Sequence, residues 1–259
     1  MIVTIDGPAG TGKSTVARIL ASRLGFEFLN TGAMYRAVAY VCLQRNVDLA
    51  DIAAVGHVPA DLDIVFAKNR LILNGSDVTD VIRDQRVTQT ASQVAANALV
   101  RQRLVELQRA AARGVNLVTE GRDQGTVVFD QAECKFFLTA SPEERAFRRQ
   151  RELLNNGESI PLEDLLAQQE LRDERDETRA CSPLKPAPDA LLIDTTPMSL
   201  EEVAGYLEEL VRKRMRGSGE WRVASKENRP TRDLSEFVSW VLFRPIRLIE
   251  IGKSFWNES

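Results

Sequence analysis

Short apolar runs alternate with helical patterns along most of this chain. The runs MIVTI, FEFL, NLVT, KFFL and ALLI are each bounded by turn or capping residues, and segments with helical spacing of apolar positions separate most of them. Strands that alternate with helices in this way are typical of a parallel sheet covered by helices. The pattern therefore predicts an α/β fold.

The pattern changes between residues 61 and 83. The segments LDIVF, RLILNG and DVT predict short strands that are joined by tight turns at Lys68-Asn69 and Asn74-Gly75. Strands joined by such short turns pair in antiparallel fashion. We expect a small antiparallel insert here.

Two arginine-bearing helices are predicted in the second half of the chain. Ser141 as N-cap, Pro142 at the first helical position and Glu144 two residues later form a capping-box signature. The helix should end at residues 155–157, where the sequence reads NNG, and the next should begin near Pro161. A short mobile loop is therefore predicted between them.

Composition limits the classes of partner. The chain has 259 residues, of which 44% are hydrophobic, enough for one sizeable domain with an appendage or for two small domains. A net charge of −3 argues against a general nucleic-acid binder, because such affinity comes mostly from neutralising phosphates with excess cations. Arginine far outnumbers lysine among the 34 basic residues, which suits bidentate recognition of phosphates, although an arginine-rich surface would look the same.

Cysteine and histidine chemistry is not expected. Cys42, Cys134 and Cys181 are far apart and include no CxxC pair, which disfavours a disulfide framework or a zinc site. The single histidine, His57, lies in the loop-like segment GHVPAD and is interpreted as a surface residue. The strand-like start MIVTID has no charged leader or long apolar run, so we expect a cytoplasmic protein.

A glycine-rich turn separates the first strand from the first helix. In IDGPAGTGKST the spacing GxxxxGK[ST] is met between a strand ending at Asp6 and a helix beginning near Lys13. Backbone N–H groups at the glycines can turn toward phosphates, Lys13 can reach the outer phosphates, and Ser14 can hold magnesium. The residues predicted to cradle a nucleoside triphosphate are Gly7, Pro8, Ala9, Gly10, Thr11, Gly12, Lys13, Ser14 and Thr15. This motif alone leaves a kinase, a switch GTPase and a mechanical ATPase open.

A second anion site is predicted at NTGAMYR, which follows the second strand at the start of a helix. Thr31 offers a hydroxyl and Arg36 a guanidinium, the groups needed to grip a monophosphate. The alternative is that Thr31 is only an N-cap and Arg36 only a solvated side chain.

The strand in LVTEGRDQGT ends in the polar residues Glu120, Arg122 and Asp123. Side chains at the carboxyl end of a parallel strand point into the ligand crevice. The alternative is a turn closed by an Arg122–Asp123 salt bridge, which is costly to bury without further partners.

The segment LRDERDETR carries a third group of charges. Arg172, Asp176 and Arg179 fall on one predicted helix face, with Arg175 beside them. A solvated, charged helix would look alike, but the segment follows the predicted mobile loop, where closing arginines can neutralise a transferring phosphoryl group. Further arginines approach this loop from the preceding helix: Arg145, Arg148 and Arg149.

Taken together, these motifs resemble the bacterial cytidylate kinases, in the nucleoside monophosphate kinase group of P-loop proteins. The matching segments over residues 2 to about 215 are, in family order, IDGPAGTGKST, TGAMYR, ASQVA, EGRDQGTVVF, RDERDETR, SPL and PAPDALLIDTT. The resemblance implies a P-loop NTPase core with a five-stranded parallel sheet and helices on both faces. It also implies one kinase domain over 1–215, with a nucleotide-monophosphate-binding insert at about 61–88 and a lid at about 150–165.

The resemblance implies transfer of the γ-phosphoryl group of ATP to CMP or dCMP, with Mg²⁺. It assigns Thr31, Arg36 and Arg122 to the acceptor phosphate, and Thr31 replaces an expected serine while keeping the hydroxyl. It assigns Ser92, Arg101 and Asp123 to the cytosine, and Arg172, Asp176 and Arg179 to the sugar, phosphate or base as the lid closes. A carboxylate at Asp123 complements the N4–H donors of cytosine, whereas the O4 of uracil would be repelled.

In-line transfer without a covalent enzyme intermediate is expected. Lys13, Arg122, Arg172 and Arg179 would surround the moving phosphoryl group, with magnesium held partly by Ser14. Glu120 is placed to order a magnesium-bound water. The rival hypotheses are an adenylate or shikimate kinase-like enzyme, and a nucleotide-switched binding module, against which the chain shows no NKxD-like motif.

The last predicted helix of the domain, SLEEVAGYLEELVRKRM, ends near Met215, and an extension over 216–259 follows. Residues 235–256 are aromatic and apolar with interspersed arginines, and Pro245 would break any helix after Phe243. One interpretation is contact with a membrane surface or a protein partner, and the other is folding back over the core or partial disorder. Arginine and proline interrupt the apolar span, so no bilayer crossing is expected. We expect a monomer.

Overall fold

The computed structural model describes residues 1–67, 70–155 and 157–217. The chain divides into two units, Met1–Val223 and Ala224–Ser259, and every described residue belongs to the first. The predicted turn at Lys68-Asn69 and the apolar segment 235–256 lie outside the described residues. Among the residues that are described, no helix combines the length and apolarity needed to cross a membrane.

Strands and helices alternate as the apolar pattern predicts. In chain order the elements are β1 (Ile2–Asp6), α1 (Lys13–Leu24), β2 (Glu27–Asn30), α2 (Thr31–Gln44), α3 (Ile52–His57), β3 (Ile64–Ala67), β4 (Arg70–Leu73), β5 (Ser76–Asp77), α4 (Gln85–Val94), α5 (Ala98–Ala111), β6 (Leu117–Gly121), β7 (Cys134–Thr139), α6 (Pro142–Asn155), α7 (Leu162–Thr178), β8 (Leu191–Asp194) and α8 (Leu200–Met215). A five-residue π-helical turn, Gln124–Val128, follows β6.

The central sheet has five parallel strands in the order β2-β6-β1-β7-β8. This confirms the expected fold class. In its register Asp6 lies opposite Gly121, and Asn30 lies opposite Glu120. The carboxyl ends of β1, β2 and β6 are therefore level, and the segments that leave them start side by side at one edge of the sheet.

Helices cover both faces of this sheet. Neighbouring residues of a strand point to opposite faces, and in β6 Leu117 packs with α2, α4 and α5 while Val118 packs with α1 and α8. Leu104 of α5 and Leu207 of α8 are fully buried in these two cores. The sheet is therefore the middle layer of three, and its strands are continuous apolar runs because both faces are covered.

The predicted insert is a three-stranded antiparallel sheet, β3-β4-β5. Its second turn forms at Asn74 and Gly75, with φ values of 49° and 80°. A two-residue hairpin turn with both residues left-handed suits the twist of the strands it joins, and Asn-Gly is its preferred sequence. Leu71 and Leu73 of β4 are buried in the core shared with α2 and α4.

Two local predictions need correction. His57 is the last residue of α3 rather than part of a loop, although its side chain is exposed as expected. Ser141 caps α6 by accepting from the N–H of Glu144 at 3.2 Å, but the reciprocal bond of a capping box does not form. The N–H of Ser141 donates instead to the Thr196 hydroxyl at 3.0 Å, because the start of α6 packs against the turn after β8.

Candidate active site

The loop between β1 and α1 has the conformation that its glycines permit. Gly7, Gly10 and Gly12 have φ values of 143°, 82° and 85°. A β-carbon at Gly7 would lie 2.1 Å from the backbone oxygen of Leu138, and one at Gly10 would lie 2.8 Å from the β-carbon of Arg145. The loop is therefore seated directly against β7 and α6, where only glycine fits.

Lys13 lies inside this loop at the start of α1. Its ammonium donates to the backbone oxygen of Pro8 at 2.5 Å and to the Thr11 hydroxyl at 3.3 Å. Burial, and next the positive charge of Arg122, hold the pKa of Lys13 well below its usual value. No side chain caps the start of α1, so a buried cation and a helix N-terminus face the same point, which is the arrangement that binds polyphosphate.

Hard oxygen ligands lie next to Lys13. Ser14 of α1 donates its hydroxyl to a carboxylate oxygen of Glu120 at 2.9 Å, and Glu120 is buried at the end of β6. Hydroxyl and carboxylate oxygens are ligands that Mg²⁺ accepts. Within the described ranges no three His, Cys, Asp or Glu side chains are grouped to hold a metal. The residues present therefore fit an ion that takes one or two protein ligands and completes its shell with phosphates and water.

A pocket opens between α2, α4, α5, α7 and the segment after β6. It brings together every residue that the sequence predicts for an acceptor nucleotide: Thr31, Arg36, Ser92, Arg101, Arg122, Asp123, Arg172, Asp176 and Arg179. Its free volume is about 60 Å³, well below the roughly 300 to 1,000 Å³ that is usual for small-molecule sites. The pocket is formed but narrow.

One end of the pocket is strongly cationic. Burial and the neighbouring charge of Arg122 lower the pKa of Arg172 to about 10, and Arg36 is shifted in the same direction mainly by burial. The Nε atoms of Arg36 and Arg172 are buried without a hydrogen-bond partner among the described residues. A buried guanidinium N–H without a partner is costly, so this end of the pocket favours an anion.

Arg122 and Asp176 join the segment after β6 to α7. Arg122 Nε lies 2.8 Å from a carboxylate oxygen of Asp176, and Arg179 approaches the other oxygen at 3.7 Å. Burial alone would raise the pKa of Asp176, but the charges of Arg122 and Arg172 outweigh it and lower that pKa. Arg122 does not pair with Asp123, so the alternative of a self-closed turn is wrong.

The other end of the pocket carries a buried carboxylate and a buried guanidinium group. Arg101 of α5 forms a buried ion pair with Asp123, and its guanidinium lies 5.5 Å from the ring centre of Tyr35. The Ser92 hydroxyl of α4 is buried and has no hydrogen-bond partner in the described part of the chain. This end therefore offers a carboxylate, a guanidinium and a hydroxyl around a flat aromatic side chain.

Thr31 anchors the start of α2. Its hydroxyl donates to the backbone oxygen of Glu120 at 2.7 Å, which ties α2 to the end of β6. The interpretation of Thr31 as an N-cap is wrong, because Asn30 caps α2 by accepting from the N–H of Ala33 at 2.9 Å. Arg36 is partly buried in the pocket and is not a solvated side chain.

Comparison with known proteins decides the family. The family model described as cytidylate kinase matches residues 3–213. This chain belongs to the cytidylate kinase family. It is 45% identical over 218 residues to a cytidylate kinase of Rhodopirellula baltica, covering 84% of this chain and 95% of that one. It is 47% identical over 215 residues to a cytidylate kinase of Carboxydothermus hydrogenoformans, covering 82% and 97% of the two chains.

The same match occurs within a larger protein. A bifunctional pantoate ligase/cytidylate kinase of a Synechococcus strain is 46% identical over 229 residues, which are 86% of this chain but 42% of that one. The cytidylate kinase match there corresponds to less than half of the relative's length.

In this cytidylate kinase family member, the sequence predicts that three arginines of α6 approach the loop between α6 and α7. Not all of them do. Arg145 donates to the backbone oxygen of Ala9 at 3.1 Å and to Asp173 of α7 at 2.5 Å. Arg148 donates to the backbone oxygen of Thr195 at 2.6 Å. Arg145 therefore joins α6 to the phosphate loop and to α7, and Arg148 joins α6 to the turn after β8. The partly exposed Arg149 pairs with a neighbour on its own helix. Arg179 is the C-cap of α7 and not part of its helical face.

Asp6 is a buried residue at the site that the sequence analysis of this family member did not single out. It ends β1 with 4% of its surface exposed, and its carboxylate accepts from the N–H groups of Gln124 and Gly125 at 2.9 and 2.8 Å. Burial raises the pKa of Asp6 to about 7, although these two hydrogen bonds act to lower it. The signal was a polar residue at the carboxyl end of an apolar strand, the same signal that identified Glu120.

The raised pKa of Asp6 predicts how stability depends on pH. Between its reference pKa of 3.8 and about 7 the folded protein keeps a proton that the unfolded chain releases, so stabilisation present at low pH is lost as pH rises through this window. Relative to Asp6→Asn, the wild-type free energy of unfolding should fall with a slope of up to about 1.4 kcal/mol per pH unit and level off above pH 7. Urea unfolding from pH 5 to pH 8 measures this. Parallel curves for the two proteins would contradict the shifted pKa.

Proposed function

We propose that this protein is an ATP-dependent cytidylate kinase, which transfers the γ-phosphoryl group of ATP to CMP or dCMP and releases ADP with CDP or dCDP. The observation that carries the proposal is the acceptor pocket beside the phosphate loop. Its buried, unpaired donors include Arg36 Nε and Arg172 Nε at one end and Ser92 Oγ at the other. A nucleoside monophosphate supplies an anion and a polar base to these two ends.

Transfer needs positioning and charge neutralisation rather than a general base. The acceptor phosphate is already an anion and needs no deprotonation before it attacks the γ-phosphorus in line. The charges of Arg122 and of Arg172 on α7 both lower the pKa of Lys13, and the charge of Arg122 also lowers the pKa of Arg172. With Arg179 at the end of that helix, these cations surround the path of the phosphoryl group.

Ser14 and Glu120 would hold Mg²⁺, Ser14 through its hydroxyl and Glu120 through its carboxylate or an ordered water. When bound, magnesium neutralises charge on the β- and γ-phosphates. Ser14 already donates to Glu120, so the pair is set in place before the nucleotide arrives.

The nucleotide base is recognised by Asp123, Arg101 and Ser92. Cytosine presents N4–H donors beside the N3 and O2 acceptors, so a carboxylate accepts from N4–H while guanidinium and hydroxyl groups donate to the acceptors. The Arg101–Asp123 ion pair holds this carboxylate in place. Uracil, with an oxygen at position 4, would meet the same carboxylate with repulsion.

Nucleotide entry requires the pocket to widen. Its free volume of about 60 Å³ is too small for a nucleotide, and the Arg122–Asp176 ion pair closes one side of it. We therefore infer that α7 and the lid at about 150–165 move away from the segment after β6 and return over the bound substrates, which also excludes water from the reaction.

Several expectations from the sequence stay predictions. They are the boundaries of the insert and of a domain over 1–215, a cytoplasmic monomer, no nucleic-acid partner, and an extension over 216–259 that contacts a membrane surface or a protein. Sedimentation velocity of the full chain tests whether it is a monomer. Its co-sedimentation with anionic vesicles at low salt tests membrane contact by the extension.

An acceptor panel tests the reaction and its specificity. We expect rapid ADP formation from ATP and Mg²⁺ with CMP or dCMP, and at least about a hundredfold lower kcat/KM with UMP, AMP, dTMP or shikimate, because the Asp123 end of the pocket rejects bases without a matching donor. Coupled ADP detection with each acceptor separately is the measurement. Preferred turnover of another acceptor would assign a different kinase activity, and ATP hydrolysis without any acceptor would favour a nucleotide switch.

Arg172 and Arg175 form a matched pair on α7, one facing the pocket and the other exposed. We expect Arg172→Ala to lower kcat by at least about a hundredfold, because it removes a cation that stabilises the transferring phosphoryl group. Arg175→Ala should keep wild-type kinetics. Steady-state kinetics and thermal melting of both variants decide the matter, and equal kinetics in two folded variants would remove Arg172 from the catalytic set.

Glu120→Gln tests the metal ligands. Glutamine keeps an oxygen that accepts from Ser14 but removes the negative charge, so the Mg²⁺ concentration at half-maximal activity should rise by about tenfold or more. Magnesium titration at saturating ATP and CMP measures this. An unchanged titration curve with unchanged kcat would exclude Glu120 from the metal site.

A further inference from the structure

One buried carboxylate connects the two halves of the site. Asp6 is the last residue of β1, directly before the phosphate loop, and it lies opposite Gly121 at the end of β6 in the sheet. The segment that carries Arg122 and Asp123 leaves the sheet at this point. The same residue therefore borders the phosphate loop and the segment after β6, residues 122–125, which we call the acceptor loop.

Both oxygens of the Asp6 carboxylate bind the acceptor loop. One accepts from the N–H of Gln124 at 2.9 Å and the other from the N–H of Gly125 at 2.8 Å. These two N–H groups begin the π-helical turn Gln124–Val128. The segment with Arg122 and Asp123 is thus held at both ends, by the sheet register before it and by a carboxylate after it.

The backbone at Gly125 is packed closely enough for this anchor to set its position. A β-carbon at Gly125 would lie 3.0 Å from Thr4 Oγ1 and 3.4 Å from Asp6 Oδ2. The Gln124 side chain adds a second anchor, because its Oε1 accepts from the Thr119 hydroxyl at 2.9 Å. With both carboxylate oxygens engaged by backbone, Asp6 is suited to hold this loop rather than to touch a nucleotide.

We propose that Asp6 is a positioning residue, which fixes Arg122 and Asp123 relative to the phosphate loop by clamping the two N–H groups that follow them. The effect of this clamp on catalysis rests on the proposed function, whereas its effect on the loop does not. Loss of the clamp should loosen the acceptor side while the donor side keeps the β1 pairings with β6 and β7.

The test compares Asp6→Asn with Thr4→Val in the full chain. Asparagine keeps the shape but points an NH₂ group at one of the two N–H groups, so one anchor is lost and replaced by repulsion. Thr4 lies two residues earlier on the same strand, fully buried, and its hydroxyl has no hydrogen-bond partner among the described residues. Thr4→Val therefore changes a buried side chain next to Gly125 but removes neither of the two hydrogen bonds of the clamp.

In kinetics with ATP and CMP at about pH 8, above the pKa of about 7 of Asp6, Asp6→Asn should lower kcat/KM for CMP by about tenfold to a hundredfold and leave the KM for ATP within about twofold. Thr4→Val should match wild type in both. An Asp6→Asn enzyme whose kcat/KM for CMP is unchanged, or whose loss falls equally on ATP, overturns the proposal, because a purely structural role would not separate the two substrates.

Amide hydrogen exchange supplies a readout that is independent of activity. Residues 121–125 should exchange at least about tenfold faster in Asp6→Asn than in wild type, with no such change in Thr4→Val. If wild type fails to phosphorylate CMP, the proposed function falls, and this exchange difference alone decides on the clamp. If Asp6→Asn does not fold, exchange in the wild-type protein decides instead. The N–H groups of Gln124 and Gly125, which donate to Asp6, should be protected, and exchange as fast as that of exposed loop amides would overturn the proposal.

Discussion

The structure depends on holding several partly or fully buried cations close together without a full set of counterions. Lys13, Arg36, Arg122 and Arg172 converge between α1, α2, α7 and the end of β6, and burial with mutual repulsion lowers the pKa values of Lys13, Arg36 and Arg172. Asp176 and Glu120 offset only part of this charge. A fold that carries such a cluster needs a rigid frame, and the level strand ends of a sheet covered on both faces provide one.

The frame also explains why the site is assembled from distant parts of the chain. Parallel strands that end at one edge of the sheet deliver the phosphate loop, the start of α2 and the segment after β6 to neighbouring positions. Each then needs only a few bonds to be fixed relative to the others, such as Thr31 to the Glu120 backbone and Ser14 to the Glu120 carboxylate. Much of the precision of the site therefore comes from register rather than from many contacts.

Much of this architecture was predictable from sequence, because it follows from local pattern. Short apolar runs between helical segments predict the sheet, the glycine spacing predicts the phosphate loop, and Asn74-Gly75 predicts its hairpin. The ion pairs were not predictable in this way, since Arg122 meets Asp176 and Arg145 meets Asp173 across stretches of chain that have no common period. For the same reason the cap at Ser141 was only half predicted, because its other partner, Thr196, comes from a different element.

The close seating of Gly10 has a consequence for how the sequence can change over time. Gly10 is left-handed, and a side chain there would meet Arg145 and the Gln169 amide, which itself donates to the backbone of Arg145. These residues come from the phosphate loop, α6 and α7, yet they share one small volume. A change at any one of them alters the space left for the other two. Drift at these positions is therefore expected to occur in compensating sets, with the phosphate loop and the lid-bearing helices changing together.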